Sequence, residues 1–179
     1  MTPLPFTSTT ITMRSLLLTV CLFAASLCNA QVAEPITNFN VVLLQPSAVM
    51  EKRVTNIDAM ADYIKAVEAA SREAVIASGA KQAVGGFIVL AVKPGQQSKV
   101  WLDFDALLDL EIRKQITKSV GAIKPFDVTE GPVVFALKVA TWEGKESKRV
   151  APSPPEWKKA KHGGKPLEIG QLVEKVWSE

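Results

Sequence analysis

The sequence predicts an α+β fold: a small antiparallel sheet with helices packed on it. A strand-strand-helix-strand core spans Val84 to Trp142, and an N-terminal strand and helix precede it. Three observations carry this reading. Residues 87–92 read Phe-Ile-Val-Leu-Ala-Val, too short for a surface helix and suited to a strand covered on both faces. Pro94-Gly95 makes a turn, and Lys99 to Phe104 then alternates, which together predict a hairpin. Leu108, Ile112, Ile116 and Val120 recur every fourth residue, the stripe of an amphipathic helix.

Taken in order, Met13-Arg14 opens a signal-peptide pattern. One positive charge precedes an apolar run from Leu16 to Leu27, and Cys28-Asn29-Ala30 offers small residues at the cleavage positions. Residues 1–30 are therefore expected to be a signal peptide cleaved after Ala30, with the start codon at Met1 or Met13 left open. The run is short for a membrane span, so no stable span is expected after processing. Cleavage removes both cysteines, Cys21 and Cys28, leaving no disulfide and no thiol nucleophile. Of 179 residues 149 remain, enough for one core. The loss of Arg14 leaves 20 basic and 18 acidic residues from the original 21 and 18, a balance that specifies no partner.

The expected domain covers 31–144. Phe39 to Leu44 reads as a strand that Pro46 closes. Thr55 and Asp58 match a capping box, and the helix after them runs to about Ser78, ended by Gly79. Met60, Ile64, Val67, Ala74 and Val75 form its inner stripe. Asp58, Asp62, Lys65, Glu68 and Arg72 form a solvated face, with Glu68 and Arg72 in helpful i, i+4 order. Val84 begins the core. In the hairpin's second strand Val100, Leu102 and Phe104 point one way, and Lys99, Trp101 and Asp103 the other. Asp105 is the expected N-cap of the next helix, and Gly121 its terminating glycine. From Val133 to Trp142, alternate residues place Val133, Phe135, Leu137 and Val139 on one face. Val134, Ala136, Lys138, Ala140 and Trp142 take the other. The two long helices are expected to cover one face of the sheet.

From Lys145 to Pro166 seven basic residues face two glutamates, and Pro152, Pro154, Pro155 and Gly163-Gly164 interrupt the chain. This stretch is expected to be extended and mobile. Residues 167–179 regain apolar spacing, as a short C-terminal helix.

Four groups of residues bear on chemistry. Asp103, Asp105, Asp109 and Glu111 are dense enough to invite a cation, but helix capping accounts for them more simply, and no metal or other cofactor is expected. His162 is the only histidine and has no acid nearby to orient it. No nucleophile elbow, phosphate loop or His/Cys spacing occurs, so catalysis is not the first expectation. Trp157, Lys158, Lys159 and Lys161 are candidates for an anionic surface. Export argues against nucleic acid. Trp101 and Trp142 share a parity opposite to Leu102 and Leu137. With Lys138 they form a candidate partner face, unless the first helix or the C-terminal segment covers them.

Residues 84–142 resemble the C-terminal domain of TonB-type periplasmic proteins. The resemblance lies in Phe87–Val92, the Pro94-Gly95 turn, Val100–Phe104, the helix through Ile116, Pro125-Phe126 and Gly131-Pro132-Val133-Val134-Phe135. It implies peptide capture by strand addition at a sheet edge. The expected function is therefore that of an exported, non-enzymatic binding or adaptor protein of the bacterial envelope, periplasmic or secreted. It would engage a protein or peptide by a sheet edge or the aromatic face, as an immunity-type inhibitor also would, and a homodimer stays open. The alternatives are an envelope-polymer hydrolase using carboxylates such as Asp103 or Asp105, and a protein that associates with anionic surfaces.

Overall fold

The computed structural model describes residues 33–161 and 167–177. The expected signal peptide, His162 and the Gly163-Gly164 pair lie outside these. The described residues form the expected antiparallel sheet with helices packed on it. Its strands are β1 (Ile36–Leu43), β2 (Val84–Lys93), β3 (Gln97–Phe104) and β4 (Val133–Thr141). Their order is β1-β4-β2-β3, every neighbouring pair antiparallel. β2 and β4 are central, and β2 is buried along nearly its whole length, as its unbroken apolar run requires. β1 and β3 are the edges. The β2–β3 hairpin turns at Pro94, Gly95 and Gln96, where Gly95 takes a φ of 82° that glycine adopts without strain.

Helices α2 (Ile57–Ala77) and α3 (Leu110–Gly121) cross from one strand to the next on the same side of the sheet. Met60, Tyr63, Val67, Ala74 and Val75 of α2 join Ile112, Ile116 and Val120 of α3 in one core. That core includes Ile88, Leu90, Phe135, Leu137 and Val139 from the strands. Each such buried aliphatic side chain contributes about 1.5–3 kcal/mol. Tyr63 packs edge-on against Phe126 and Phe135, with ring centroids 5.7 and 6.5 Å apart.

The helix caps differ from expectation by one residue in α2 and four in α3. Asn56, not the Thr55/Asp58 box, caps α2 by accepting from the Asp58 and Ala59 amides at 2.9 and 3.1 Å. Asp109, not Asp105, caps α3 by accepting from the Glu111 amide at 2.8 Å. An aspartate or asparagine caps only where the chain turns into the helix, and several stood within reach of each start. Arg72 pairs with Glu34 rather than Glu68. A short helix, α1 (Ser47–Arg53), has no strong sequence signal, and its Arg53 donates to the Pro132 carbonyl at 2.6 Å.

The largest correction concerns the basic segment. Its described part, 145–161, contains helix α4 (Pro155–Lys161), and Trp157 within it is fully buried. Prolines bar helix interiors, but Pro155 sits at the first helical position, where no N–H is needed. α4 and α5 (Ile169–Trp177) cover the second face of the sheet. Trp157, Ala160, Leu172, Val173 and Val176 pack on Phe87, Val89, Ala91, Trp101, Val134 and Ala136. Trp101 of β3 is therefore covered on that side. Among the described residues no helix is long and apolar enough to cross a membrane.

Candidate functional site

The expected aromatic face does not exist as a surface. Trp101 is only 5% exposed and meets Trp157 edge-on at 5.5 Å. Trp142 lies on the opposite side of the sheet, packed against the α2/α3 core, with the Lys81 ammonium 5.2 Å over its ring. Alternation fails there because β4 ends at Thr141, and Trp142 and Glu143 both take positive φ, 45° and 61°. Lys138 is tied to Glu146 at 2.7 Å. Trp157 is a core residue, so it does not accompany the exposed Lys158 and Lys159 on the surface. Lys161 closes α4, and its side chain lies outside the described residues.

The acidic group is also used structurally. Arg149 donates through Nη1 to Asp103 Oδ2 at 2.5 Å, through Nη2 to the Asp103 carbonyl at 2.6 Å, and through Nε to Asp105 Oδ1 at 2.8 Å. Its guanidinium stands 5.2 Å over the Phe87 ring. The Ser153 amide donates to Asp103 Oδ2 at 2.6 Å, and the Ser147 hydroxyl to Asp105 Oδ1 at 2.8 Å. Charge-assisted, forked bonds of this kind fix geometry. They pin residues 147–153 across the end of β3. Among the described residues no three metal-ligating side chains converge.

A groove of about 560 Å³ runs along the free edge of β3. Val100 and Leu102 lie along it, Arg113 and Thr117 of α3 form one wall, and Pro155 and Glu156 of α4 the other. The backbone at its floor has a definite polarity. The Asp105 amide donates to the Gly85 carbonyl at 2.9 Å, which makes 85/105 a hydrogen-bonded pair. By the alternation of antiparallel ladders, Lys99, Trp101 and Asp103 turn their backbone groups toward β2. Ser98, Val100 and Leu102 turn theirs outward. Among the described residues no backbone group bonds to the outward N–H and C=O of Val100 and Leu102.

The rim is held as firmly as the floor. Gln82 bridges the loop into α3: its Nε2 donates to the Leu107 carbonyl at 3.0 Å, and its Oε1 accepts from the Asp109 amide at 2.7 Å. This leaves the Leu107 side chain 81% exposed beside the groove. The expected hairpin gave which β3 side chains share a face, but which amides turn outward depends on the three-residue turn between Lys93 and Gln97. The groove was not derivable, because its second wall comes from the segment read as mobile, and nothing local to Arg149 marks Asp103 as its partner.

Comparisons of the chain with protein-family models, with curated proteins and with solved structures return no match.

Proposed function

We propose that the chain is an exported, non-enzymatic binding domain of the bacterial envelope that takes an extended protein segment on the free edge of β3. The observation that carries this reading is the backbone of Val100 and Leu102, unpaired among the described residues, at the floor of a groove walled by α3 and α4. Strand addition needs backbone donors and acceptors in register, with side-chain pockets for selectivity. The edge supplies the first. Exposed Leu107 and the Arg113 guanidinium at the rim supply an apolar contact and a cation for the second. The resemblance of residues 84–142 to TonB-type C-terminal domains points to the same mode, and the signal pattern of residues 13–30 to export. Asp103 and Asp105, the carboxylates on which a hydrolase reading depends, are held by Arg149 and the Ser147 and Ser153 groups.

The test uses Val100→Pro. Proline removes an amide that bonds nothing within the sheet but would bond an added strand. Affinity capture from envelope extract is compared for the two proteins, with circular dichroism as the check on fold. A partner held near one-to-one by the native chain and lost by the folded variant is the expected result. Equal retention by both would remove the β3 edge as the site.

A further inference from the structure

The opposite edge, β1, has a different character. Phe39, Val41 and Leu43 are 39%, 39% and 50% exposed, and residues 36–43, Ile-Thr-Asn-Phe-Asn-Val-Val-Leu, contain no charge, proline or glycine. Edge strands normally carry such residues to prevent pairing. The one irregularity is a bulge, where the register with β4 shifts between Asn38 and Asn40 and leaves Phe39 extra.

The position of that bulge decides what fits the edge. The Trp142 amide donates to the Pro35 carbonyl, and the Leu44 amide to the Val134 carbonyl. Alternation from these two ends turns Thr37, Asn40 and Val42 toward β4 and leaves Ile36, Asn38, Val41 and Leu43 facing outward. The outward positions are thus spaced two, three, two. A regular strand bonds at every second residue, so it can match only half of this edge. A second copy of β1, run antiparallel, has the same spacing in reverse and matches it on both sides of the bulge.

We infer that two copies of this chain pair β1 against β1 about a two-fold axis between Phe39 and Asn40. Asn38 then faces Val41 of the second copy, and Val41 its Asn38; Ile36 is buried, 4% exposed, and lies outside the open part of the edge. The two bulges meet at the axis, the one place where a bulge does not disturb a two-fold pairing. Such an interface is isologous, with each patch meeting itself. A charged strand would set like charges near each other across the axis, and this strand has none. Pairing covers the exposed apolar side chains and joins two four-stranded sheets into one. It leaves both β3 edges open, so it stands apart from the function proposed above.

Sedimentation velocity of the protein as the cell processes it from the full chain, over a wide concentration range, should show a reversible dimer. Val41→Pro removes an outward amide that β4 does not use, and should weaken the dimer roughly tenfold or more. Val41→Thr keeps the amide and should keep the dimer. A second route avoids proline. Asn40→Lys and Asn40→Glu, at an exposed position beside the axis, should each weaken self-association, and their mixture should restore it. A monomer at every concentration overturns the proposal and leaves the edge to another protein. So does a dimer indifferent to both sets of variants, which places the contact elsewhere.

Discussion

The sheet face under α2 and α3 and the face under α4 and α5 both bury strand residues completely, yet they are closed by different means. The first is covered by two helices of 21 and 12 residues with apolar stripes. Each helix is capped by its own neighbouring residue, and many small apolar contacts share the work. The second is covered by helices of 7 and 9 residues, too short to be stable alone. Besides the packing of Ala160, Leu172, Val173 and Val176, a few specific contacts hold this cover: Trp157 against Trp101, Arg149 of the preceding segment on Asp103, and Lys99 on the end of α5. Lys99 Nζ donates to the Val176 and Trp177 carbonyls at 2.7 and 3.0 Å, a cation at the helix terminus where the dipole favours it. Lys93 reaches Glu174 of the same helix at 2.5 Å. A long periodic helix spreads its stabilisation over many residues. A short cover concentrates it in few, and each of those becomes more sensitive to substitution.

Three variants test this contrast, beginning with the largest effect. Trp157→Ala leaves a hole under the second cover and is expected to destabilise the protein by about 3–5 kcal/mol, read from urea unfolding. Hydrogen exchange should show residues 145–177 losing protection before α2 and α3 do. Equal loss on both faces would mean that the covers are not separable. Arg149→Ala leaves the buried Asp103 carboxylate with the Ser153 amide alone among these donors and is expected to cost about 2 kcal/mol. Combined with Asp103→Ala it should cost clearly less than the two single losses together; strict additivity would show that the pair does not act as a clamp. Asn56→Ala removes the α2 cap for about 1 kcal/mol. Faster exchange should appear at the start of α2, with the α4/α5 face unchanged.

Glycine marks two close approaches at the start of β2. A Cβ at Gly85 would overlap the carbonyl of Lys145, and one at Gly86 would stand 2.5 Å from Phe104 Cα. The pair Gly85-Gly86 reads in sequence only as a lead-in to β2. Gly85 is constrained by the passage of residues 145–147 across the start of that strand, and Gly86 by Phe104 on the neighbouring β3.

Much of the fold was legible because its signals are local. The apolar run 87–92, the Pro94-Gly95 turn, the alternation of Lys99–Phe104 and the fourfold spacing of Ile112, Ile116 and Val120 each act over a few residues. A period of two or of 3.6 leaves little choice of element. The candidate site was half legible. The hairpin and the side-chain parity of β3 follow from its pattern, whereas the outward amides depend on the exact turn length and the groove wall on α4. α4 was hidden because a proline at a first helical position looks in sequence like a proline that forbids a helix. The aromatic face failed for a related reason. Parity along β4 holds only while the strand continues, and the positive φ at Trp142 swings that ring to the other side.

By itself, then, the sequence determined the kind of each long element, the antiparallel hairpin and which residues of each strand share a face, since neighbouring side chains and backbone sterics decide those matters. Only the tertiary structure decided the strand order β1-β4-β2-β3, the closing of the second face by α4 and α5, and the use of Asp103 and Asp105 as anchors for Arg149. Those depend on contacts between residues 46 and 44 positions apart, and at such separations chain pattern carries no signal. What selects the partner is the fit of one buried surface to another.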